Sequence, residues 1–426
     1  MPHWKRNLVV LGVVQVLTMV AFSSYMPLVP YYLLELGAGS YEETTSWAAI
    51  YSTGSALAMM ISAPIWGSLG DRRGRKAMLV RATLAGVLGM CANYLVGSPA
   101  QLVAVRIFQG FMGGSMAAVT TLVATETPDR YLGVSLGLLQ TLQAGARAVG
   151  PLAGGVIADT LGLRQLFVVS AVIMFVAFLA VAVLVRERAD VRDSRRDRPG
   201  TRSGPGMLAG LMTRDILVML GVMATMGTSI ALISPVLSLY VKSLSPDSQR
   251  IATLAGAISS ATAFTSVPAA LLIGRLGDRF GAKAVLIACG LGATLVHVPQ
   301  ALVSSPMQLL ALRAVQGVFT GGINPVAMAL LARSTRPARR GTVLGLASSA
   351  RAGGRAIGPL VGAASANLWG MPSVFLVTAG VYGLMSLIVS VVVRPRAEPV
   401  STATEEPAVP IASDSETAGA RRPCGS

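Results

Sequence analysis

Apolar and polar residues come in blocks along this chain. Long apolar runs recur at about 7–34, 47–69, 77–96, 100–124, 132–158, 165–186, 215–241, 252–274, 283–303, 307–332, 341–368 and 372–393. Each is near the ~20 residues a helix needs to cross the ~30 Å hydrocarbon core of a bilayer. A membrane barrel would instead show segments of about ten residues that alternate apolar and polar. The pattern predicts an all-α integral membrane protein with twelve transmembrane helices. Between the sixth and seventh runs lies RERADVRDSRRDRPGTRSGPG, residues 186–206, charged and without an apolar period. It predicts a flexible linker over 187–213. The tail, 394–426, is rich in proline, serine, alanine and glutamate and predicts disorder.

An internal repeat organises the runs. Asp71 recurs as Asp278, and Arg106, Gln109 and Gly110 recur as Arg313, Gln316 and Gly317, all 207 residues on. Pro27, Arg147 and Gly150-Pro151 recur as Pro235, Arg355 and Gly358-Pro359, 208 residues on. Two pseudo-symmetric six-helix bundles follow, 1–186 and 214–393, inserted in the same direction. Parallel repeats of this kind are a transporter signature, with the substrate site between the halves near the midplane.

Charge then fixes an expected orientation. Only 13% of the 426 residues are charged, and the net charge is +16. In a soluble protein that excess would suggest nucleic acid. Here the basic residues crowd into alternate loops, while the other loops hold only Arg164, Lys242 and Arg250. This positive-inside pattern predicts a multi-pass protein of the plasma membrane with both termini and the linker cytoplasmic, lipid as its surroundings and no nucleic-acid partner. The start, MPHWKRNLVVLGVV, resembles a signal peptide but runs on too long without a cleavage site, so it reads as a retained first helix. Cys91, Cys289 and Cys424 form no disulfide or zinc spacing. No G-x-x-x-x-G-K-[ST] occurs, which disfavours an ATP-driven pump. No cluster of His, Cys or acids suggests an enzyme or a metal site.

Three stretches carry candidate chemistry. GSLGDRRGRK at 67–76 and GRLGDRFGAK at 274–283 are charged knots at matching places in the two halves. Gly67, Gly74 and Gly281 permit tight turns and close helix approach. Arg72, Arg75, Lys76, Arg279 and Lys283 suit an anionic inner leaflet. Arginines alone would satisfy the positive-inside pattern, so the repeated Gly-Asp, with Asp71 and Asp278, points to a conformational latch. RIFQGFMGG at 106–114 puts Arg106 inside an apolar helix, as Arg313 is in the second half. A charge there costs at least ~2.5 kcal/mol and marks function, unless it snorkels to the nearby helix end. ARAVGPLAGG at 146–155 gives its helix a proline kink and a smooth face through Ala146, Gly150, Pro151, Gly154 and Gly155, repeated by Gly354, Gly358 and Pro359.

In this order and on these helices, the stretches resemble the signature loop, the proton-coupled fourth-helix motif and the antiporter fifth-helix motif of the major facilitator superfamily. The likeness extends to about residue 393, and Ala146 stands where the family pattern has glycine. The resemblance implies a drug–proton antiporter that exports hydrophobic small molecules by alternating access. It needs no cofactor beyond the proton gradient, and a monomer is expected. It further implies that Asp71 packs against the eleventh helix when the transporter faces outward and bonds with Arg75 and with Glu126. Arg106 would shape the proton response of a nearby acid. The rival is a permease of the same fold that imports an organic anion or metabolite.

One departure bears on mechanism. Many such antiporters carry a carboxylate deep in the first or fourth helix, and none stands in either position here. Glu126, Asp129 and Asp159 all look peripheral, and Asp71, Glu126 and Glu35 remain as candidate proton carriers. Arg106, Arg147, Arg313, Arg351 and Arg355 all fall within spans. Either the cavity is electropositive and suits neutral or acidic substrates, or Arg147 and Arg355 serve carbonyls freed by the Gly-Pro kinks. Expected cavity liners are Gln15, Met19, Phe22, Tyr25, Met112, Met223, Met226, Asn324 and Met328, since methionine and aromatic side chains adapt to varied apolar ligands. His297 reads as a packed polar residue.

Overall fold

The computed structural model describes residues 3–185, 187, 214–333, 335 and 340–393. The linker from 188 and the tail from 394, with the expectations attached to them, lie outside that set. Twelve helical segments fill the rest. In the first half, α1 comprises His3–Tyr25, a tight turn at Met26–Leu28, and Val29–Glu35. It is followed by α2 (Tyr41–Arg73), α3 (Arg75–Leu95), α4 (Pro99–Met112 and Ser115–Glu126), α5 (Asp129–Leu161) and α6 (Leu163–Leu184). The second half has α7 (Arg214–Ile233 and Leu237–Leu244), α8 (Ile251–Phe280), α9 (Ala282–Gln300), α10 (Pro306–Arg333), α11 (Arg340–Trp369) and α12 (Ser373–Val392). No described residue is in a strand.

Successive helices run in opposite directions. The turns that hold the charged knots therefore lie at one end, called here the knot end, and the turns after α1, α3, α5, α7, α9 and α11 lie at the far end. Ten segments are long and apolar enough to cross a membrane. The two that are not in that set, α5 and α11, are 33 and 30 residues long but carry the Gly-Pro stretches with Arg147, Arg351 and Arg355. A helix that gives up apolar residues at this length needs protein or water on its polar face.

Proline and glycine shape the segments as their backbone limits require. Pro27 and its repeat Pro235 interrupt α1 and α7 at equivalent places, because proline lacks the N–H that the ladder needs. Gly74 and Gly281 start α3 and α9 at φ +97 and +85, where a Cβ would be strained. The run at 100–124 was expected as a single span, but α4 is broken at Gly113-Gly114, with Gly114 at φ +109. The break is held from α2 and α3. Arg81 Nη2 donates to Gly113 O at 2.8 Å, and its guanidinium lies 3.5 Å over the Trp66 ring. Trp66 Nε1 donates to Phe111 O at 2.7 Å.

Candidate transport site

Contacts between the halves gather at the far end. There α5 lies on α8, and α11 on α2. A Cβ added at Gly155 would sit 2.4 Å from Ala252 O, and one at Gly256 would sit 2.2 Å from Pro151 O. Such backbone approach is available only to glycine. Leu152 N donates to Ser260 Oγ at 3.1 Å, and Asp159 accepts from Ala252 N and Thr253 N at 3.1 and 2.7 Å. On the other seam, Thr53 Oγ1 donates to Ala356 O at 2.8 Å, and Asn367 Nδ2 donates to Ser46 Oγ at 3.1 Å. Tyr31 Oη donates to Ser238 O at 2.6 Å between α1 and α7. The antiporter-type stretches also hold each half together. Cβ atoms at Gly150 and Gly154 would strike Ser23 and Ser24 of α1, and at Gly354 and Gly358 they would strike Ala224 and Thr228 of α7. Ser23 donates to Ala146 O at 3.3 Å.

Toward the knot end the same helices separate. Gly67, Gly137, Gly274 and Gly345, one on each of α2, α5, α8 and α11, meet nothing within 4 Å of an added Cβ. The space between the halves therefore opens at the knot end.

Three arginines from the two halves lie near one another. Arg147 of α5 and Arg351 and Arg355 of α11 lie close enough for their charges to act on one another. Arg147 and Arg355 are exposed. The Nε of Arg351 is buried without a partner, and among the described residues none of the three donates to a carbonyl or carboxylate. The carbonyl-serving role considered for Arg147 and Arg355 is thus not realised in this conformation.

Arg106 and Arg313 are held internally. Arg106 Nη1 donates to Tyr25 Oη at 3.1 Å, Nη2 lies 3.5 Å from Met26 Sδ, and the guanidinium is 5.2 Å from the Tyr51 ring. It turns in toward α1 and α2 and does not snorkel. Arg313 donates to Gln316 Oε1 at 3.0 Å, and Gln300 Nε2 donates to the same oxygen at 3.1 Å. His297 is buried, with Nδ1 2.6 Å from Ala293 O.

The expected liners separate into two groups. Met19, Phe22, Met112, Asn324 and Met328 are partly exposed, whereas Tyr25, Met223 and Met226 are buried in packed clusters. Gln15 is buried with neither polar atom partnered, and Asn324 Oδ1 is also unpartnered. A buried amide without partners costs about 1–3 kcal/mol.

At the knots, Gly74 ends α2, and Lys76 Nζ donates to Ala182 O at 2.8 Å. Lys283 Nζ repeats that bond to Ser390 O at 2.8 Å. Arg279 lies 5.3 Å over the Phe280 ring. Glu126 accepts from Asn7 of α1. The side chain of Asp71 falls outside the described part. Glu187, which the sequence did not single out, accepts from Arg75 N and Lys76 N at 2.8 and 3.0 Å and so caps α3. Gly74, directly before α3, has no side chain to cap it, and that is the local sign of a partner from elsewhere. Glu35 is exposed at the far end, beside Asp159 and Lys242.

Two six-helix bundles meeting around a cavity that opens at one end define a membrane transporter of the alternating-access type. The chain matches the family model described as Major Facilitator Superfamily over residues 11–247 and 217–422, and it belongs to that superfamily. It is 34% identical over 381 residues to the multidrug resistance protein MdtG of Dickeya zeae, covering 89% of this chain and 92% of that one. It is 33% identical over 384 residues to the MdtG protein of Salmonella typhimurium, covering 89% and 93%. Its fold is similar to that of the nucleoside transporter NupG, with a TM-score of 0.75 at 14% identity, covering 92% of this chain and 100% of that one. A D-xylose–proton symporter gives 0.71 at 15% identity, covering 92% and 98%.

Proposed function

We propose that the protein is a multidrug efflux transporter driven by proton entry, and that its cavity accepts substrates bearing an anionic group on a hydrophobic body. The relatives named as multidrug resistance proteins support export. The observation that carries the substrate reading is the meeting of Arg147, Arg351 and Arg355 from both halves, with no acid or carbonyl to pair them among the described residues. Unpaired guanidinium groups suit a phosphonate, sulfonate or carboxylate, which they can bind through paired N–H donors. Phe22, Met19, Met112 and Met328 supply adaptable apolar surface, and Asn324 supplies a polar group among them.

In this reading the knot end faces the cytoplasm, as the positive-inside pattern requires, so the conformation is open inward. The bundles 1–186 and 214–393 rock about the cavity, Asp71 and the knots lock the inner end in the opposite state, and the protein works as a monomer without a cofactor. Arg106, in its cage of Tyr25 and Tyr51, tunes the proton response, with Asp71, Glu126 or Glu35 carrying the proton.

The test is efflux from proteoliposomes with and without an inward-directed proton gradient, comparing an organic-anion dye with ethidium. The reading predicts gradient-driven export, with Arg355→Ala impairing the anion more than the cation. Flux that ignores the gradient, or that runs only as uptake, would favour a permease. A preference for the cation, lost in the arginine variant, would remove the anion site.

A further inference from the structure

Helix α8 begins without a cap of its own. The residue before it is Arg250, whose side chain accepts nothing from the first turn. The first N–H groups of any helix need acceptors from outside it. Here they find one in the other half of the molecule: Asp159, near the end of α5, takes the N–H groups of Ala252 and Thr253. The repeat-related helix α2 starts differently. Ser40 Oγ caps it by accepting from Glu43 N at 3.1 Å, and Glu43 Oε2 accepts from Gly39 N, one residue before the cap, at 2.9 Å.

The residue that repeats Asp159, 208 positions on, is Asn367. Its Nδ2 donates to Ser46 Oγ at 3.1 Å and to Glu42 O at 3.5 Å on α2. Each half thus reaches across the far end with the polarity its target requires. A carboxylate goes to bare N–H donors, and an amide goes to acceptors on a helix that is already capped.

We infer that Asp159 is a positioning residue for alternating access, a clasp that caps α8 only while the far end is closed. Opening that end takes the carboxylate away and leaves the first turn of α8 without its acceptor. The clasp therefore weights the equilibrium toward the conformation described here. Charged and apolar groups mix around it. Asp159, Glu35 and Tyr31 of α1 and Lys242 of α7 line a cavity of about 420 Å³, Arg164 at the start of α6 acts on Glu35, and Arg250 heads α8. The inference concerns conformation alone and stands whatever the substrate or driving ion.

The experiment reads the far end directly. Spin labels at Leu95→Cys and Leu302→Cys, repeat-related exposed sites at the end of α3 and in the turn after α9, report the distance between halves in a background lacking Cys91, Cys289 and Cys424. Asp159→Ala should raise the ratio of far-end-open to far-end-closed molecules about five-fold, the size of one lost N-cap. Asp159→Asn, which keeps an acceptor, should move it less in the same direction, and serves if the alanine variant fails to fold. Adding Arg250→Ser to Asp159→Ala restores a cap within α8 itself. It should recover thermal stability while the distance distribution stays shifted toward open. An unchanged distribution in both Asp159 variants, or full recovery of it by Arg250→Ser, would overturn the clasp.

Discussion

At the far end, Gly155 of α5 and Gly256 of α8 press onto each other's helices, while five turns away, on the same faces, Gly137 and Gly274 meet nothing. Eighteen residues at 100° each return to one face of a helix, so both pairs look across the same seam. The second seam repeats the arrangement with buried alanines, Ala49 of α2 and Ala363 of α11, and with Gly67 and Gly345 eighteen residues away in open space. Residue type is alike at the two ends, and contact is not. A small residue kept where nothing touches it makes sense if something touches it in another state. The difference teaches that the seam faces are built for two closures, of which one is seen here. It also gives the charged knots a packing role, since Gly67 and Gly274 open the two knot sequences.

The largest effect should come from filling the closed end. Gly155→Leu or Gly256→Leu overpacks backbone against backbone, which costs about 1–3 kcal/mol or more, so the far-end-closed population should fall about ten-fold or more in spin-label distances. Filling the open end should do the reverse. Gly137→Leu and Gly274→Leu should fold with unchanged melting temperature and retain this conformation, yet transport should drop about as steeply because the knot end cannot shut.

The cavity should respond more selectively. Arg147→Ala or Arg355→Ala removes a charge-assisted partner worth about 1.5–3 kcal/mol, so KM for an anionic dye should rise about ten-fold while that for a neutral substrate changes little. The smallest effect is expected at the α3 cap. Glu187→Gln should lower stability by about 1 kcal/mol or less in thermal unfolding, because one amide oxygen still reaches Arg75 N or Lys76 N.

Much of this plan was legible in the chain. The twelve apolar runs, the repeat and the Gly-Pro stretches require only helical period and bilayer thickness, and the segments fall where those rules put them. What escaped depends on partners far apart in sequence. The role of Arg81 is one such case, because nothing local shows that Trp66 and the Gly113 carbonyl lie beside it. Asp159 looked peripheral, since its bond partners stand 93 and 94 residues away on a helix of the other half. The break in α4 was written as Gly113-Gly114, but glycine pairs in membrane helices serve packing as readily as breaks. The convergence of Arg147 with Arg351 and Arg355 required knowing that α5 and α11 face one cavity.

The most direct test of the two-closure account is a crosslink at the open end. In a cysteine-free background, Gly137→Cys and Gly274→Cys should stay unlinked by a short bifunctional reagent in the resting protein. They should link once substrate and an inward-directed proton gradient drive turnover, and linking should halt transport. Equal linking at rest and during turnover, or none under turnover while transport proceeds, would contradict the claim that α5 and α8 close the knot end on these faces.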